Sequence, residues 1–436
     1  MKCTSMKGPL GTRPGHAVIA LLLFAVATTT VHAAPEESRD AQLQELLEEA
    51  ARNNPEIRVA RSEREAAQHR VSPAGALDDP MLEAGVVNAP LASQTFRRED
   101  MTMKMLGLSQ RFPYPGKRGL RQDVAAKDAE SVSHAYQETV NRVARDVKAA
   151  YFDRALVVES ARLVEENRQV LEQFLRISES RYAVGQGTQA DVLKAQTQLT
   201  RMEDELIKLA REGRAIEAEL VRELGRESDA GLPAPAALRL PETAVQFESL
   251  RETALTERPQ LLGLASLIDR SAKTLDLARK DYYPDFDVKL AYGQRENMLD
   301  GTRRDDMLSL TVAVNLPIWR ENKRDPNVAE AIAMRNQATD MYQAQLNEVS
   351  SQLRQQIANA EQSLKSARLH ESGILPQARL AVESSLAAYR VNRVDFLTLL
   401  DSQMAVLTYQ ISYASALSNY NMALAEIEFL TGKKLF

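Results

Sequence analysis

The residues of this chain that could do chemistry most directly are Met101, Met103 and Met105, which alternate near the start of a predicted strand. Methionine thioethers are soft ligands, and copper-handling proteins use them for that reason. Alternating methionines on a membrane strand can also be simple apolar residues that face outward. We favour this second interpretation and leave open whether the three methionines contact metal.

Other residue types that carry catalysis or bind metals are sparse. Beyond the N-terminal segment the histidines are His69, His134 and His370, which lie far apart with no ligand-like spacing. The single cysteine is Cys3, so the mature chain is expected to have no disulfide and no thiolate ligand. No glycine-rich phosphate loop, nucleophile triad or metalloprotease motif is present. The sequence therefore predicts a protein that is not an enzyme and that has no cofactor and no metal centre.

Residues 1–33 have the pattern of a cleavable export signal. Lys2, Lys7 and Arg13 precede an apolar stretch at 17–28 and a small-residue cleavage site. Removing this segment shifts the net charge from −5 to −8, because it carries three basic and no acidic residues. An acidic balance argues against nucleic acid as a partner and favours the handling of cations. No later apolar run reaches about 18 residues, so we expect export to the periplasm or to an outer membrane entered through strands.

Most of the chain consists of two copies of a repeated sequence pattern. Segment 46–118 recurs about 204 positions later, and segment 182–225 recurs about 207 positions later. A spacing shared over most of a chain predicts two copies of one structural unit. We therefore divide the chain into a first repeat at 34–231, a connector at 232–245 and a second repeat at 246–436.

Each repeat is predicted to hold a strand pair followed by a long helical hairpin, with proline and glycine at the element boundaries. Pro376 interrupts the second long helix, where we expect a kink. The predicted strands lie at 81–87, 105–112, 285–292 and 307–316, within strand pairs at 81–112 and 285–316. The predicted hairpins lie at 119–225 and 326–430.

Apolar periodicity indicates how the helices pack. Residues between 192 and 220 follow the 3-4 spacing of a coiled-coil seam. The last helix has two such stripes, one beginning at Leu399 and one at Leu400. Two stripes are typical of a helix flanked on both sides, as in a curved wall of helices. One broad apolar face is the alternative.

The strands alternate apolar and polar residues. Leu308, Leu310 and Val312 point one way, whereas Ser309 and Thr311 point the other. This is the apolar-out, polar-in pattern of a membrane barrel strand, and also that of a half-buried strand in a soluble sheet. Four strands cannot close a pore, so a barrel with a polar lumen requires several chains that contribute strands to one sheet.

Two exported copies of a strand pair, a very long helix, a tight turn and a shorter helix resemble the TolC-like outer membrane factor family. The resemblance covers essentially the whole mature chain. Its most specific segments are the turns at 181–188 and 389–395, with the helix starts at 191–196 and 399–403 that follow them. The segment 110–118, Gln-Arg-Phe-Pro-Tyr-Pro-Gly-Lys-Arg, resembles the heavy-metal cation efflux branch of that family.

The resemblance implies a mainly α fold with a small β part, in which a coiled-coil α-barrel of long helices joins four membrane β-strands per protomer. It implies a homotrimer whose twelve strands form an open barrel in outer membrane lipid and whose helices continue as a periplasmic tunnel. At the tip of the tunnel, the channel would meet a periplasmic adaptor and an inner-membrane pump of the RND type. Only the barrel would anchor the chain, because no lipid-attachment cysteine follows the signal.

Three aspartates beyond the turns are candidate residues of the periplasmic aperture. In the family, carboxylates just beyond the second turn line the constriction, and Asp401 matches that pattern. Three-fold symmetry would place three copies of Asp401 in one ring, which favours cations. Asp191 and Asp395 are candidates for the same aperture. Each of the three could instead be an acid at a helix start, stabilised by the helix dipole. We weigh the two interpretations evenly for Asp401 and favour the second for Asp191 and Asp395.

The turn residues are candidate contacts with the adaptor. Two of them, Gly185 and Asn392, hold equivalent places and tolerate a left-handed backbone, so as turn formers they need no partner. The candidate contact residues are Gly185, Gln186, Gly187, Thr188, Asn392, Arg393 and Val394.

The sequence thus predicts an outer membrane channel, the passive exit duct of a tripartite efflux system, with heavy-metal cations as the leading solute. Two alternatives stay open. The same channel could serve drug efflux or type I protein secretion, or the chain could be a periplasmic coiled-coil adaptor that scaffolds a pump.

Overall fold

The computed structural model describes residues 37–91, 95–229, 231–240 and 246–435. The structure is mostly helical with one small antiparallel sheet, which confirms the predicted fold class at that level. The helices are α1 (Glu37–Asn53), α2 (Pro55–Ala74), α3 (Lys117–Ala183), α4 (Gln189–Leu224), α5 (Phe247–Glu257), α6 (Pro259–Lys280), α7 (Asp325–Leu369), α8 (Leu375–Arg390) and α9 (Phe396–Thr431). The strands are β1 (Met81–Val87), β2 (Met103–Phe112), β3 (Phe286–Gln294) and β4 (Met307–Val314).

Two predicted segments lie wholly or partly beyond this description. The export signal at 1–33 lies outside the described residues, as does the end of the connector at 241–245. The order of elements is helix pair, strand pair, long helix and shorter helix, and it occurs twice along the chain, with α7 and α8 together in the place of the second long helix. The division into two repeats at 34–231 and 246–436 stays a prediction.

The longest element is α3, whose 67 residues span about 100 Å. It begins after Gly116, whose φ of 91° turns the chain from the strand into the helix axis. No proline follows until after its end, so nothing breaks the helical hydrogen bonds. α3 contacts α2 and α6 along its first part and α4 and α9 along its second part. It therefore connects the sheet to the far end of the hairpins.

α9 packs between two sets of helices. It contacts α3 on one side and α7 and α8 on the other. Both predicted stripes are buried, with Leu399 and Val406 in one and Leu400 and Leu407 in the other. The prediction of a helix flanked on both sides is confirmed. The buried residues shared by α3, α4, α8 and α9 are Leu163, Val164, Leu171, Phe174, Ala195, Met202, Tyr389, Phe396, Leu399, Leu400 and Leu407.

The helix predicted at 326–390 is two helices instead of one. α7 ends at Leu369, and a π-helical turn at His370–Ile374 precedes α8. Pro376 stands in the first turn of α8, where its missing N–H is tolerated. The interruption that we expected at this proline therefore lies in the turn before it, as a wider π turn that accommodates the proline ring.

The four strands form one sheet in the order β1-β2-β3-β4, with every neighbouring pair antiparallel. β2 and β3 join the two halves of the chain. Leu108 of β2, for example, pairs with Leu82 of β1 and with Leu290 of β3. β1 and β4 are the edge strands, and among the described residues nothing pairs with their outer edges.

The two faces of the sheet differ in polarity. Lys289 and Glu83 form an ion pair on one face, next to Ser109 and Thr311 in the pairing register. The opposite face exposes large apolar side chains that nothing in the described chain covers. These exposed residues are Leu82, Val86, Leu106, Leu108, Leu290, Tyr292, Leu308, Leu310, Val312 and Val314.

The methionines near β2 do not lie where we expected them. Met103 and Met105 share the polar face with Glu83 and Lys289, because they alternate with Leu106 in the strand. Met101 precedes β2 and is exposed. The interpretation that these methionines are apolar outward residues is therefore wrong for Met103 and Met105. Alternate residues of a strand lie on opposite faces, so Met103 and Met105 lie on the face opposite to Leu106. The predicted start of this strand, residue 105, is two residues later than the observed start at Met103.

Candidate functional site

The candidate site lies at the ends of the two helical hairpins, where α3 turns into α4 and α8 turns into α9. In the first turn, Gly185 has a φ of 75°, a conformation that glycine adopts without strain. The backbone N–H groups of Gln186 and Gly187 donate to the carbonyl of Arg181 at 2.9 Å and 3.1 Å. These bonds satisfy one carbonyl in the last turn of α3 and fix a tight reversal of the chain.

Thr188 and Asp191 cap the start of α4. The Thr188 hydroxyl accepts from the Asp191 backbone N–H at 3.3 Å, and the Asp191 carboxylate accepts from the Thr188 backbone N–H at 3.3 Å. This reciprocal pair is a capping box, which satisfies two backbone donors at a helix start. The geometry supports the helix-start interpretation of Asp191, because its carboxylate already has a partner.

The second turn uses the same device with different residues. Asn392 takes the left-handed conformation with a φ of 60°, and the Arg393 backbone N–H donates to the Ala388 carbonyl at 2.9 Å. Asp395 caps α9 by accepting from the Thr398 backbone N–H at 3.0 Å. The hydroxyl and backbone N–H of Thr398 hold the pKa of the Asp395 carboxyl below its ordinary value. Asp395 is thus also engaged at a helix start.

Asp401 differs from the other two aspartates. Its side chain is exposed, and among the described residues it has no hydrogen-bond or ion-pair partner. It stands between the two buried stripes of α9, on the exposed strip that also holds Leu397, Thr408 and Asn419. The Asp401 carboxylate is therefore open to solvent and to ions in it.

A direct link joins the two turns. The Arg181 guanidinium donates to the Tyr389 carbonyl and, at 3.2 Å, to the Gln186 carbonyl. Its carbon also lies 4.3 Å from the centre of the Tyr389 ring, a cation–π contact. Tyr389 in turn packs on Phe396, with ring centres 5.7 Å apart. We call this set the Arg181–Tyr389 link. Sequence reasoning missed it, since the only signal was a basic residue in the last turn of α3.

A buried polar layer lies further along the same hairpins. The Asn167 side chain is 3 % exposed and joins three helices. Its carbonyl accepts from Gln403 of α9 at 2.8 Å. Its amide nitrogen lies 3.7 Å from the sulfurs of Met202 of α4 and Met404 of α9. A polar residue inside an apolar seam fixes which residues of the helices lie opposite each other.

Two kinds of site do not occur in the described part of the chain. No group of three or more His, Cys, Asp or Glu residues there could hold a metal ion. None of the described helices combines the length and the apolar character needed to cross a membrane.

Comparison with known proteins adds a family and relatives. The family model for outer membrane efflux protein matches residues 46–226 and 250–433. The cobalt-zinc-cadmium resistance protein CzcC of Cupriavidus metallidurans is 23% identical over 425 residues, which is 94% of this chain and 96% of that protein. The alkaline protease secretion protein AprF of Pseudomonas aeruginosa is 23% identical over 302 residues, 66% of this chain and 60% of that protein.

A solved structure shares the fold. The outer membrane protein VceC of Vibrio cholerae superimposes with a TM-score of 0.77 at 18% identity, covering 91% of this chain and 97% of that one. At this level of identity the likeness concerns the arrangement of helices and strands.

Proposed function

The chain belongs to the outer membrane efflux protein family, and on that premise we propose that it is the outer membrane channel of a tripartite efflux system. In this proposal three copies form a passive exit duct that works with a periplasmic adaptor and an inner-membrane pump of the RND type. Heavy-metal cations are the exported solute. The chain itself catalyses no reaction, since the pump drives transport.

The observation that carries the proposal is the exposed apolar face of the four-stranded sheet. Leu106, Leu290 and Leu310 lie in neighbouring strands of this face and are each about half exposed or more. A continuous apolar face of this kind is unfavourable in water and is suited to lipid. The edges of β1 and β4 present backbone donors and acceptors that a neighbouring copy would satisfy. Three copies would give twelve strands with the polar face inside.

The hairpins support the second part of the duct. α9 already lies in a wall of helices, with α3 on one side and α7 and α8 on the other. The strip of α9 that holds Asp401 is exposed between these neighbours. We assign this strip to the lumen and Asp401 to the periplasmic aperture, where three copies would form a ring of carboxylates that favours cations. The capping roles of Asp191 and Asp395 make them weaker members of that ring.

The turns are the proposed contacts with the adaptor. Gln186, Thr188, Asn392 and Arg393 are exposed at the ends of the hairpins. Their backbones are held by the turn and cap hydrogen bonds, so they present a fixed surface and little ordering entropy is lost on docking. The Arg181–Tyr389 link ties both turns together, so an adaptor that binds one turn would act on both.

Two observations support metal cations as the solute. The likeness to the cobalt-zinc-cadmium resistance protein extends over nearly the whole of both chains, and the mature chain has an acidic balance. The segment 110–118 contributes less than its sequence indicated. In the structure Tyr114 stacks on Tyr283 at 4.5 Å, and Lys117 pairs with Asp281 and Asp285. This segment builds the junction between strand and helix.

A second solute class has an observation in its favour. A relative of similar identity is named for alkaline protease secretion, so the same duct could release proteins, and drugs remain a third class. The adaptor alternative is less favoured, because a large exposed apolar face on a sheet would be unfavourable in a protein of the aqueous periplasm.

Growth of a strain that lacks this protein tests the solute. We expect sensitivity to one or two of copper, silver, zinc, cobalt, cadmium and nickel, restored by the intact gene. Sensitivity to drugs or detergents with normal metal tolerance would discard the metal solute and keep the channel. Carbonate washing of membranes tests the channel itself. The protein should stay with the outer membrane, and release into the wash would overturn the proposal in favour of an adaptor.

A further inference from the structure

The polar face of the sheet carries three methionines at the end remote from the helices. Met103 and Met105 belong to β2, and Met307 belongs to β4. All three are half-buried. Met103 and Met105 are among the methionines singled out in the sequence, and strand β3 lies between them and Met307. We call these three residues the methionine cluster.

Backbone pairing places two of these methionines in one row across the sheet. Gly293 of β3 pairs with Met105 on one side and with Met307 on the other. Neighbouring strands lie about 4.8 Å apart, so the backbones of the two methionines are separated by about 10 Å. Unbranched thioether side chains with three rotatable bonds can meet across that distance.

Gly293 provides the space in which the sulfurs lie. A Cβ atom at this position would overlap Sδ of Met103, so that sulfur occupies the volume that a side chain would otherwise fill. Met103 therefore extends over Gly293, between Met105 and Met307. Gly85, which pairs with Met105 from the other side, also leaves the face open.

We propose that the methionine cluster is a binding site for a soft monovalent cation, copper(I) or silver(I). Thioethers are neutral, polarisable donors that favour copper(I), whereas zinc and cobalt are better served by imidazole and carboxylate. Further along the same face Glu83 and Lys289 pair with each other, and beyond the end of β3 Arg295 pairs with Asp100 at 3.9 Å. The inference rests on the proposed function, because a closed barrel is what turns this face into the wall of the exit path. It also narrows the solute class of the proposed function to soft monovalent cations.

A simple packing role is the competing interpretation. Leucine has nearly the volume of methionine and no donor atom, so it would serve equally well as filler. Substitution by leucine therefore separates ligation from packing.

The test uses the full-length protein purified from outer membranes in detergent and titrated with silver(I) alone. X-ray absorption at the silver edge reports sulfur neighbours, and equilibrium dialysis reports the amount bound. The test variant is Met103→Leu/Met105→Leu/Met307→Leu. The matched control is Met81→Leu, which changes a methionine on the same face at the opposite end of the sheet. A further variant, Gly293→Ala, keeps every thioether and displaces that of Met103.

We expect silver–sulfur scattering in the wild type and in Met81→Leu, and its loss in the triple variant. Gly293→Ala should weaken binding, and excess zinc should not compete. No silver–sulfur signal in the wild type, or equal binding by the triple variant, would overturn the inference. Carbonate washing of the same membranes reports the channel separately. A protein that stays with the outer membrane and binds no silver loses only this inference, whereas one that is released loses the proposed function.

Discussion

The three aspartates near the hairpin turns differ in what their carboxylates contact, and the roles that we propose for them follow from this difference. Asp191 and Asp395 accept hydrogen bonds from the backbone at helix starts, whereas Asp401 has no partner in the described chain. A carboxylate that caps a helix is already engaged by backbone donors, whereas one without a partner on an exposed strip can interact with ions. At the residue scale, Asp401 is the one of the three whose geometry fits the selectivity role that we propose.

We therefore predict that Asp401→Asn lowers the preference of the channel for cations over anions. The substitution removes one charge per copy from the proposed ring and keeps the size of the side chain. Reversal potentials in planar bilayers under a salt gradient measure the effect. Asp191→Asn is the matched control, since asparagine also caps a helix, and it should change the reversal potential less. An unchanged potential in Asp401→Asn would remove this residue from the aperture.

A second residue-scale prediction concerns acid stability. Arg226 donates two hydrogen bonds of 2.6 Å to the Glu49 carboxylate, joining the end of α4 to α1. These bonds are the main cause that lowers the pKa of Glu49 below its ordinary value of 4.5. Because the folded-state pKa is the lower one, the stabilisation is fully present above pH 4.5 and is lost as pH falls through the folded-state pKa.

Glu49→Gln should accordingly lower the free energy of unfolding at neutral pH by about 1–2 kcal/mol, and the melting temperature with it. The difference from the wild type should shrink as pH falls from 4.5 through the lowered pKa of folded Glu49, where the wild type also loses this charge. Thermal unfolding followed by circular dichroism across pH measures both. Glu48→Gln is the control, since its pair with Arg52 is exposed at 4.0 Å and worth little. A gap that stays constant with pH would contradict the prediction.

At the residue scale, the sequence could predict interactions between residues close together in the chain, but not those between distant residues. Asp191 and Asp395 bond to backbone donors three residues away at helix starts, so local spacing was enough to predict these roles. The Arg181–Tyr389 link joins residues 208 positions apart. It depends on how two hairpins dock, and no local pattern carries that information. The free state of Asp401 likewise required the packing of α9 to be known.

At the scale of elements, α3 and α9 are joined by a buried ion pair. The Lys148 ammonium lies 2.6 Å from the Glu428 carboxylate, and the two side chains are 5% and 13% exposed. Burial lowers the pKa of Lys148, and the charge of Glu428 opposes that effect. Such a pair orients two helices, yet its net contribution to stability is small because both charges lose their hydration.

We predict that Lys148→Met destabilises the protein by about 3 kcal/mol, because it leaves the Glu428 carboxylate buried without its cation. The double variant Lys148→Met/Glu428→Leu should regain most of that loss, since both buried charges are then gone. Denaturant or thermal unfolding of the solubilised protein compares them. Lys127→Met on the same helix is the control, because its ion pairs are more exposed. A double variant as unstable as the single one would contradict this account.

The predicted boundaries of elements agree with the structure where a glycine marks the end of a helix. They disagree where the backbone hydrogen-bonding pattern changes within a helix. Gly116 and Gly185 bracket α3, and the predicted hairpin limits of 119 and 225 lie within two residues of the start of α3 and the end of α4. The π turn at His370–Ile374 was not predicted. Proline marks an interruption, but the backbone absorbs it in the preceding turn, and the choice between a kink and a π turn depends on tertiary packing.

At the scale of the whole molecule, the edge strands define how copies would meet. The prolines that end β2 and follow β4, Pro113 and Pro317, are 204 positions apart, as are Pro80 and Pro284 at the other strand starts. We transfer the register observed between β2 and β3 to β4 of one copy and β1 of the next by this offset, although under the same offset the β1–β2 and β3–β4 registers differ by two residues. Leu108 pairs with Leu290 within the chain, and the corresponding residues are Val312 and Val86.

We therefore predict that Val86→Cys/Val312→Cys forms disulfide-linked trimers in the outer membrane upon mild oxidation, seen as a ladder on non-reducing gels. Both side chains are exposed on the apolar face, at 49% and 56%, and the only native cysteine, Cys3, lies in the predicted export signal. Either single variant should stay monomeric on the gel. Val87→Cys with Val312→Cys is the stringent control, because a shift of one residue moves the thiol to the opposite face. Disulfide linking of Val87→Cys with Val312→Cys would refute the transferred register. The absence of linking in Val86→Cys/Val312→Cys, in protein that remains with the membrane, would refute it as well. Either result would also refute the idea that one pairing rule builds the sheet both within and between copies.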